Sequence, residues 1–246
     1  MSLSRTWYVC VRVLQQLRRD PRTIALMLAM PVVLLVLLYY VFDGSEQLFD
    51  GIAPMLVGLF PFILMFIVTS VTMLRERTQG TLERLMAMPI AKADLLLGYG
   101  LAFGIVAAVQ SLIAAGTVLG PLGVSVAGPT WLLIVFTVGN GVLGSSLGLL
   151  ASAFARTEFQ AIQFMPALVL PQFLLCGLLT PRDQMAPVLE KVSVVLPMTW
   201  SFEGLQLVAA GQDLGNSDVV RDLVVVYGVT LLSLVAGAAT LRRRTA

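Results

Sequence analysis

An all-α polytopic membrane protein is the fold class this sequence predicts, and three observations predict it. The 246 residues are 58% hydrophobic and only 12% charged, with a mean hydropathy of +0.90, whereas a soluble domain carries about 25% charged residues. The apolar residues are gathered into runs nearly free of Asp, Glu, Lys and Arg, each close to the ~20 residues a helix needs to cross ~30 Å of hydrocarbon. The basic residues are also unevenly shared between the two sides of this arrangement. A single domain over 1–246 follows, with six spans.

Composition also excludes several function classes. The net charge of +2 comes with no basic patch, so nothing points to a nucleic-acid partner. There is no histidine, the commonest general base and metal ligand near neutral pH. Cys10 and Cys176 are far apart and form no CxxC pair, which argues against a disulfide framework or a zinc site. A phosphate-binding loop needs Gly-Lys-Ser/Thr, but Lys92 follows Ala91 and Lys191 follows Glu190. No Walker-type ATPase is therefore expected on this chain, nor ATP or Mg2+ bound to it. The excess of arginine over lysine hints at a GC-rich genome.

In chain order, 3–19 reads as an interfacial amphipathic helix. Leu3, Trp7, Cys10, Leu14 and Leu17 form an apolar stripe, with Arg5, Arg12, Gln16 and Arg19 opposite. Asp20-Pro21 breaks the pattern. The first span is 24–42, read as a retained anchor because no small-x-small cleavage site follows it. A short acidic loop leads to the second span, 52–74, which contains Pro54 and Pro61. The stretch Arg75–Asp94 mixes charges of both signs. Spans three to five are 95–119, 131–154 and 161–179, the last broken by Pro166 and Pro171. Between 187 and 210 lie two apolar pieces too short to cross, punctuated by Pro187 and Pro197 and read as re-entrant helices. The sixth span is 223–241.

All the Lys and Arg residues but Arg182, Lys191 and Arg221 fall on one side of this arrangement. The positive-inside rule puts that side, both termini and Arg75–Asp94 in the cytoplasm.

Within Arg75–Asp94, Thr81 is placed to cap a short helix with Glu83 in its first turn. Leu82, Leu85 and Met86 share one face, and Pro89 ends the helix. A small apolar knob ringed by charge suits docking on a partner; a loop whose charges only fix orientation is the other reading. The residues Glu76-Arg77, Gly80-Thr81-Leu82-Glu83 and Pro89, together with Leu196-Pro197-Met198-Thr199-Trp200 and Glu203, resemble the permease subunit of ABC exporters of the type-2 membrane family. The likeness covers nearly the whole chain. It implies that 81–88 is a coupling helix against a separate ATP-binding subunit, with Arg75, Glu76, Arg77, Gly80, Thr81, Leu82, Glu83, Arg84, Leu85, Met86 and Pro89 as the coupling residues. It further implies two ATP-binding subunits holding ATP and Mg2+, a second permease copy or a paralogue, and a bacterial plasma membrane. The third span departs from the pattern: Leu97-Gly98-Tyr99 stands where relatives often have Leu-Gly-Lys, read as a change in an interfacial anchor.

Gly100, Gly104 and Ala108 in the third span, and Gly144, Gly148 and Ser152 in the fourth, form small-residue faces for helix packing within the subunit or across a dimer. Gln110, Asn140, Gln163, Gln172 and Glu203 are candidates for a substrate path; bonding between helices is the alternative for the amides. Glu203, an acid in an apolar dipping segment, is either functional or solvated at the outer surface. The span middles carry no Asp, Glu, Lys or Arg, which argues that energy reaches the protein from outside the membrane. The leading expectation is export of an amphiphilic small molecule, a drug, antibiotic or lipid-like compound. Polysaccharide or lipid export, a secondary transporter or channel, and a membrane scaffold are the rivals.

Overall fold

The computed structural model describes residues 2–81, 84–85 and 91–240, the side chains of Lys92 and Ala238 excepted. Among these residues the regular structure is entirely helical: α1 Leu3–Arg18, α2 Pro21–Val41, α3 Glu46–Thr78, α4 Lys92–Leu119, α5 Thr130–Ala151, α6 Glu158–Leu175, a 3-10 turn Arg182–Gln184, α7 Pro187–Val195, α8 Pro197–Ala209 and α9 Ser217–Thr240. Five of them, α2, α3, α4, α5 and α9, are long and apolar enough to cross a membrane.

Helix α3 is longer than the expected second span. Its 33 residues reach about 50 Å at 1.5 Å per residue, well beyond ~30 Å of hydrocarbon. The acidic segment after Ser45 folds as its first turns, with Gly51 and Pro54 accommodated inside the helix. The expected fifth span fares differently. Helix α6 ends at Leu175, short of 179, and its 18 residues cover about 27 Å. Two internal prolines, Glu158 and three glutamines leave it outside the set of strongly apolar helices.

The two short apolar pieces expected as re-entrant helices form α7 and α8, bent at 90°. Leu196 makes the bend. It precedes Pro197, whose ring disfavours an α-helical residue before it, and it adopts φ −88° and ψ 121°. Pro197 then opens α8 at its first position, where no N–H is needed.

Helix α5 forms the centre of the bundle and α2 its edge: 72% of the apolar stretch of α5 is buried within the chain, against 17% for α2. Glycine makes that centre possible. A Cβ on Gly144 or Gly148 would collide with the backbone carbonyl of Phe62 or Phe66 on α3. Gly100 and Gly104 of α4 face Leu234 of α9 and Val142 of α5. Both small-residue faces therefore pack inside the subunit.

Helix α1 lies against the start of α4, with Thr6, Val9, Cys10, Val13 and Leu17 inward. The expected stripe is divided: Cys10 and Leu17 pack against the chain, while Leu3 is 92% exposed and Trp7 is 55% exposed. The helix is turned by Gly98, where a Cβ would lie 2.5 Å from the Val9 Cβ and 2.9 Å from the Thr6 carbonyl oxygen. Close backbone approach there decides which face is buried.

Candidate functional site

The last turn of α3 carries Arg75, Glu76 and Arg77, and each meets a different environment. Glu76 is 2% exposed. Both of its carboxylate oxygens accept hydrogen bonds from Nη2 of Arg12 on α1, each at 3.1 Å. Nη1 of Arg12 donates to the Tyr99 hydroxyl on α4 at 3.2 Å. One guanidinium thus joins three helices. Arginine suits this position because its planar fork offers several fixed donors. Tyr99 is fully buried and stacks on Phe103, with ring centroids 6.3 Å apart. The residue expected to alter an interfacial anchor is an interior hydrogen-bond partner instead.

Arg75 is exposed and donates from Nε and Nη2 to Glu158 at 2.7 and 3.0 Å, tying the end of α3 to the start of α6. An exposed pair of this kind contributes about 0–1 kcal/mol. Arg77 is half-buried, and its Nε has no hydrogen-bond partner among the described residues.

After α3 the chain turns at Gly80, whose φ of +70° falls where a Cβ is disfavoured. The Gly80 carbonyl accepts the Arg84 N–H at 3.1 Å, so Gly80 rather than Thr81 occupies the position before the next helical turn. Thr81 is half-buried and Arg84 exposed. Leu85 is 7% exposed and packs in a cluster with Val9, Val13, Met73, Leu95 and Tyr99. Of the three residues of the expected knob, Leu85 is thus turned toward its own chain. Leu82, Glu83, Met86 and Pro89 lie outside the described residues.

The candidate path residues are not brought together. The Gln110 amide donates to the Met27 carbonyl on α2 at 2.9 Å. Met27 lies four residues before Pro31, the place where a proline frees a helical carbonyl. Gln110 therefore repairs a proline gap in the neighbouring helix. Gln110→Leu leaves that buried carbonyl without its partner, and a loss of about 1–3 kcal/mol is expected in thermal unfolding of the purified protein. An unchanged melting temperature would refute this role.

Gln172 donates to the Leu168 carbonyl of its own helix. Gln163 is exposed on α6. Asn140 is buried, and its Oδ1 has no partner among the described residues. It lines a small internal cavity with Ser201, Met55, Leu59 and Phe173.

Glu203 lies at the end of the bundle opposite α1. It accepts from Arg182 at 2.9 Å and from Arg221 at 3.0 Å. Arg221 also pairs with Asp218 at 2.8 Å and Asp222 at 2.9 Å, and lies 4.8 Å from the Trp200 ring centroid. The sequence reading singled out Glu203 but missed this cluster. The spacing Asp218, Arg221, Asp222 at one helical turn was its visible signal.

A model of the ABC-2 type transporter family matches residues 4–209. The "Probable multidrug ABC transporter permease YbhS" of Escherichia coli is 30% identical over 191 residues, covering 76% of this chain and 48% of that protein. "ABC transporter G family member 20" of Dictyostelium discoideum is 27% identical over 196 residues, 79% of this chain and 27% of its own length. The "Probable multidrug ABC transporter permease YbhR" of Escherichia coli is 29% identical over 147 residues, 60% of this chain and 40% of that protein. The chain thus spans less than half the length of each of these curated relatives.

Proposed function

This chain belongs to the ABC-2 type transporter family, and from that premise we propose that it is the transmembrane permease subunit of an ATP-driven exporter. It is a multi-pass membrane protein, and α6 supplies the sixth crossing. In this reading the end bearing α1 faces the bacterial cytoplasm. Two separate ATP-binding subunits, holding ATP and Mg2+, dock near 81–88. A second copy or a paralogue completes the path, and the cargo is an amphiphilic small molecule, a reading supported by the word multidrug in the names of two Escherichia coli relatives.

One observation carries the reading. The charged stretch between the two long helices α3 and α4 is bound to its own chain through Glu76, Arg12, Tyr99 and Leu85. A push on that stretch moves α1, α3 and α4 together, because the contacts at its root are buried and closely packed. ATP-driven closure of the partners then favours one arrangement of the spans over another, a population shift set by differential binding. The charges of the long helices lie near their ends, which leaves no proton relay at mid-depth.

The test is charge reversal at Glu83 and Arg84 in the full complex. Hydrolysis is expected to continue while export falls at least tenfold, with the protein still in the membrane. Undiminished export would overturn the docking claim. Export that stops with a proton ionophore at constant ATP would overturn the exporter reading itself.

A further inference from the structure

The elbow between α1 and α2 has a feature the transport reading does not use. Arg18, Arg19 and Arg22 are all exposed, and none takes part in the ion pairs among the described residues. The elbow itself is tightly built. The Asp20 N–H donates to the Leu17 carbonyl at 2.9 Å, and the Ile24 N–H to the Asp20 carbonyl at 3.2 Å. Asp20 is the one acid among the arginines. Its carboxylate is engaged by the Thr23 hydroxyl at 2.6 Å and the Thr23 N–H at 3.2 Å. The Thr23 hydroxyl, more than any other contact, holds the Asp20 carboxyl below the usual range. Three arginines thus stand against a single carboxylate already spent on capping α2.

Directly beyond the arginines, α2 presents an apolar ridge. Leu26, Met30, Val33 and Leu37 recur at helical spacing and are 65%, 42%, 55% and 54% exposed. On the other side, α1 exposes Leu3, Trp7 and Tyr8, and Trp and Tyr favour the headgroup level of a bilayer. Positive charge at the elbow thus leads into an apolar track along α2.

We propose that the α1–α2 elbow binds an anionic phospholipid, with its phosphate between Arg18, Arg19 and Arg22 and an acyl chain along Leu26, Met30, Val33 and Leu37. The ridge is what selects a phospholipid over a free phosphate, because only a lipid fills both parts. The proposal rests on the membrane reading of the chain but not on transport. It also gives α1, which carries Arg12, a second hold at its far end.

The test uses the full-length chain in zwitterionic phosphatidylcholine nanodiscs, titrated with phosphatidylglycerol and read by native mass spectrometry. Each arginine near an anionic headgroup is expected to contribute about fivefold in affinity, so R18Q/R19Q/R22Q should weaken phosphatidylglycerol binding by about 100-fold. R18K/R19K/R22K keeps the charge and should bind within a few-fold of the parent, which separates charge loss from misfolding. R156Q, at an exposed arginine elsewhere on the chain, should bind as the parent does. Unchanged binding in the glutamine variant would overturn the proposal. So would equal binding of phosphatidylcholine, or displacement by millimolar inorganic phosphate. If the glutamine variant instead loses a co-purifying ATP-binding subunit while its lipid binding is intact, the arginines serve a protein partner and the proposal fails.

Discussion

Replacing Arg12 with methionine is expected to destabilise the protein by about 3–5 kcal/mol, because it leaves Glu76 charged and buried with no cation. Glu76 is 2% exposed and takes both of its hydrogen bonds from that one guanidinium. Adding Glu76→Leu removes the stranded charge and should restore most of the loss, since a buried ion pair exchanged for apolar groups of similar size is often neutral. A smaller deficit should remain. The Tyr99 hydroxyl, buried and deprived of the Arg12 donor, then costs about 1–3 kcal/mol, and Tyr99→Phe should recover it. The measurement is thermal unfolding of the parent, the single, the double and the triple variant in one detergent, compared as a series. If the single Arg12 variant is as destabilised as every combination, the three residues do not act as a unit.

The same series separates stability from transport. If Arg12, Glu76 and Tyr99 only hold the fold, the triple variant should export normally with its partner once its stability returns. If the node transmits motion from the charged stretch to the spans, the triple variant should be stable and still export slowly while hydrolysis continues. A hydrogen-bonded node fixes the mutual arrangement of α1, α3 and α4 more strictly than an apolar patch of the same volume. Slow export in a stable triple variant is the expected result.

The sequence was legible where a single segment decides its own state. Runs of apolar residues and the prolines at 187 and 197 locate most of the helices and the bend between α7 and α8 without reference to neighbours. It was illegible where the outcome depends on what covers a face. Periodicity puts Leu82, Leu85 and Met86 on one side of a turn, but only the arrival of α1 at Gly98 shows that Leu85 faces inward. Gln110 looked like a path residue because a glutamine inside a span is costly. Its use depends on Pro31, 79 positions earlier, which frees the Met27 carbonyl. Tyr99 stood out only as a departure at an interfacial anchor, since its partner Arg12 read as one of the polar residues opposite the apolar stripe of α1. Polar residues in spans are thus conspicuous in a sequence, while their partners, set by packing across helices, are not.

At the far end of the bundle, Arg221→Ala is expected to cost about 3–5 kcal/mol, by the same logic applied to Asp222. Asp222 is fully buried, and Arg221 at 2.9 Å is its sole ion-pair partner among the described residues. Its second oxygen has no hydrogen-bond partner among them. Glu203→Gln should cost far less, about 0–1 kcal/mol, because Glu203 is about a third exposed and its pairs are screened by solvent. The asymmetry is diagnostic, since both substitutions break contacts of the same arginine. Adding Asp222→Asn to Arg221→Ala should recover most of the loss by neutralising the stranded carboxylate. Arg221→Lys should recover only part, because a compact ammonium cannot reach Glu203, Asp218 and Asp222 at once or lie over the Trp200 ring. Thermal unfolding ranks the four variants, and hydrogen exchange over 197–209 reads the local consequence. That segment should exchange faster in Arg221→Ala than in Glu203→Gln, because α8 meets α9 through this arginine. If Glu203→Gln proves the more damaging, Glu203 is the centre of the cluster, and the burial of Asp222 does not set its energetics.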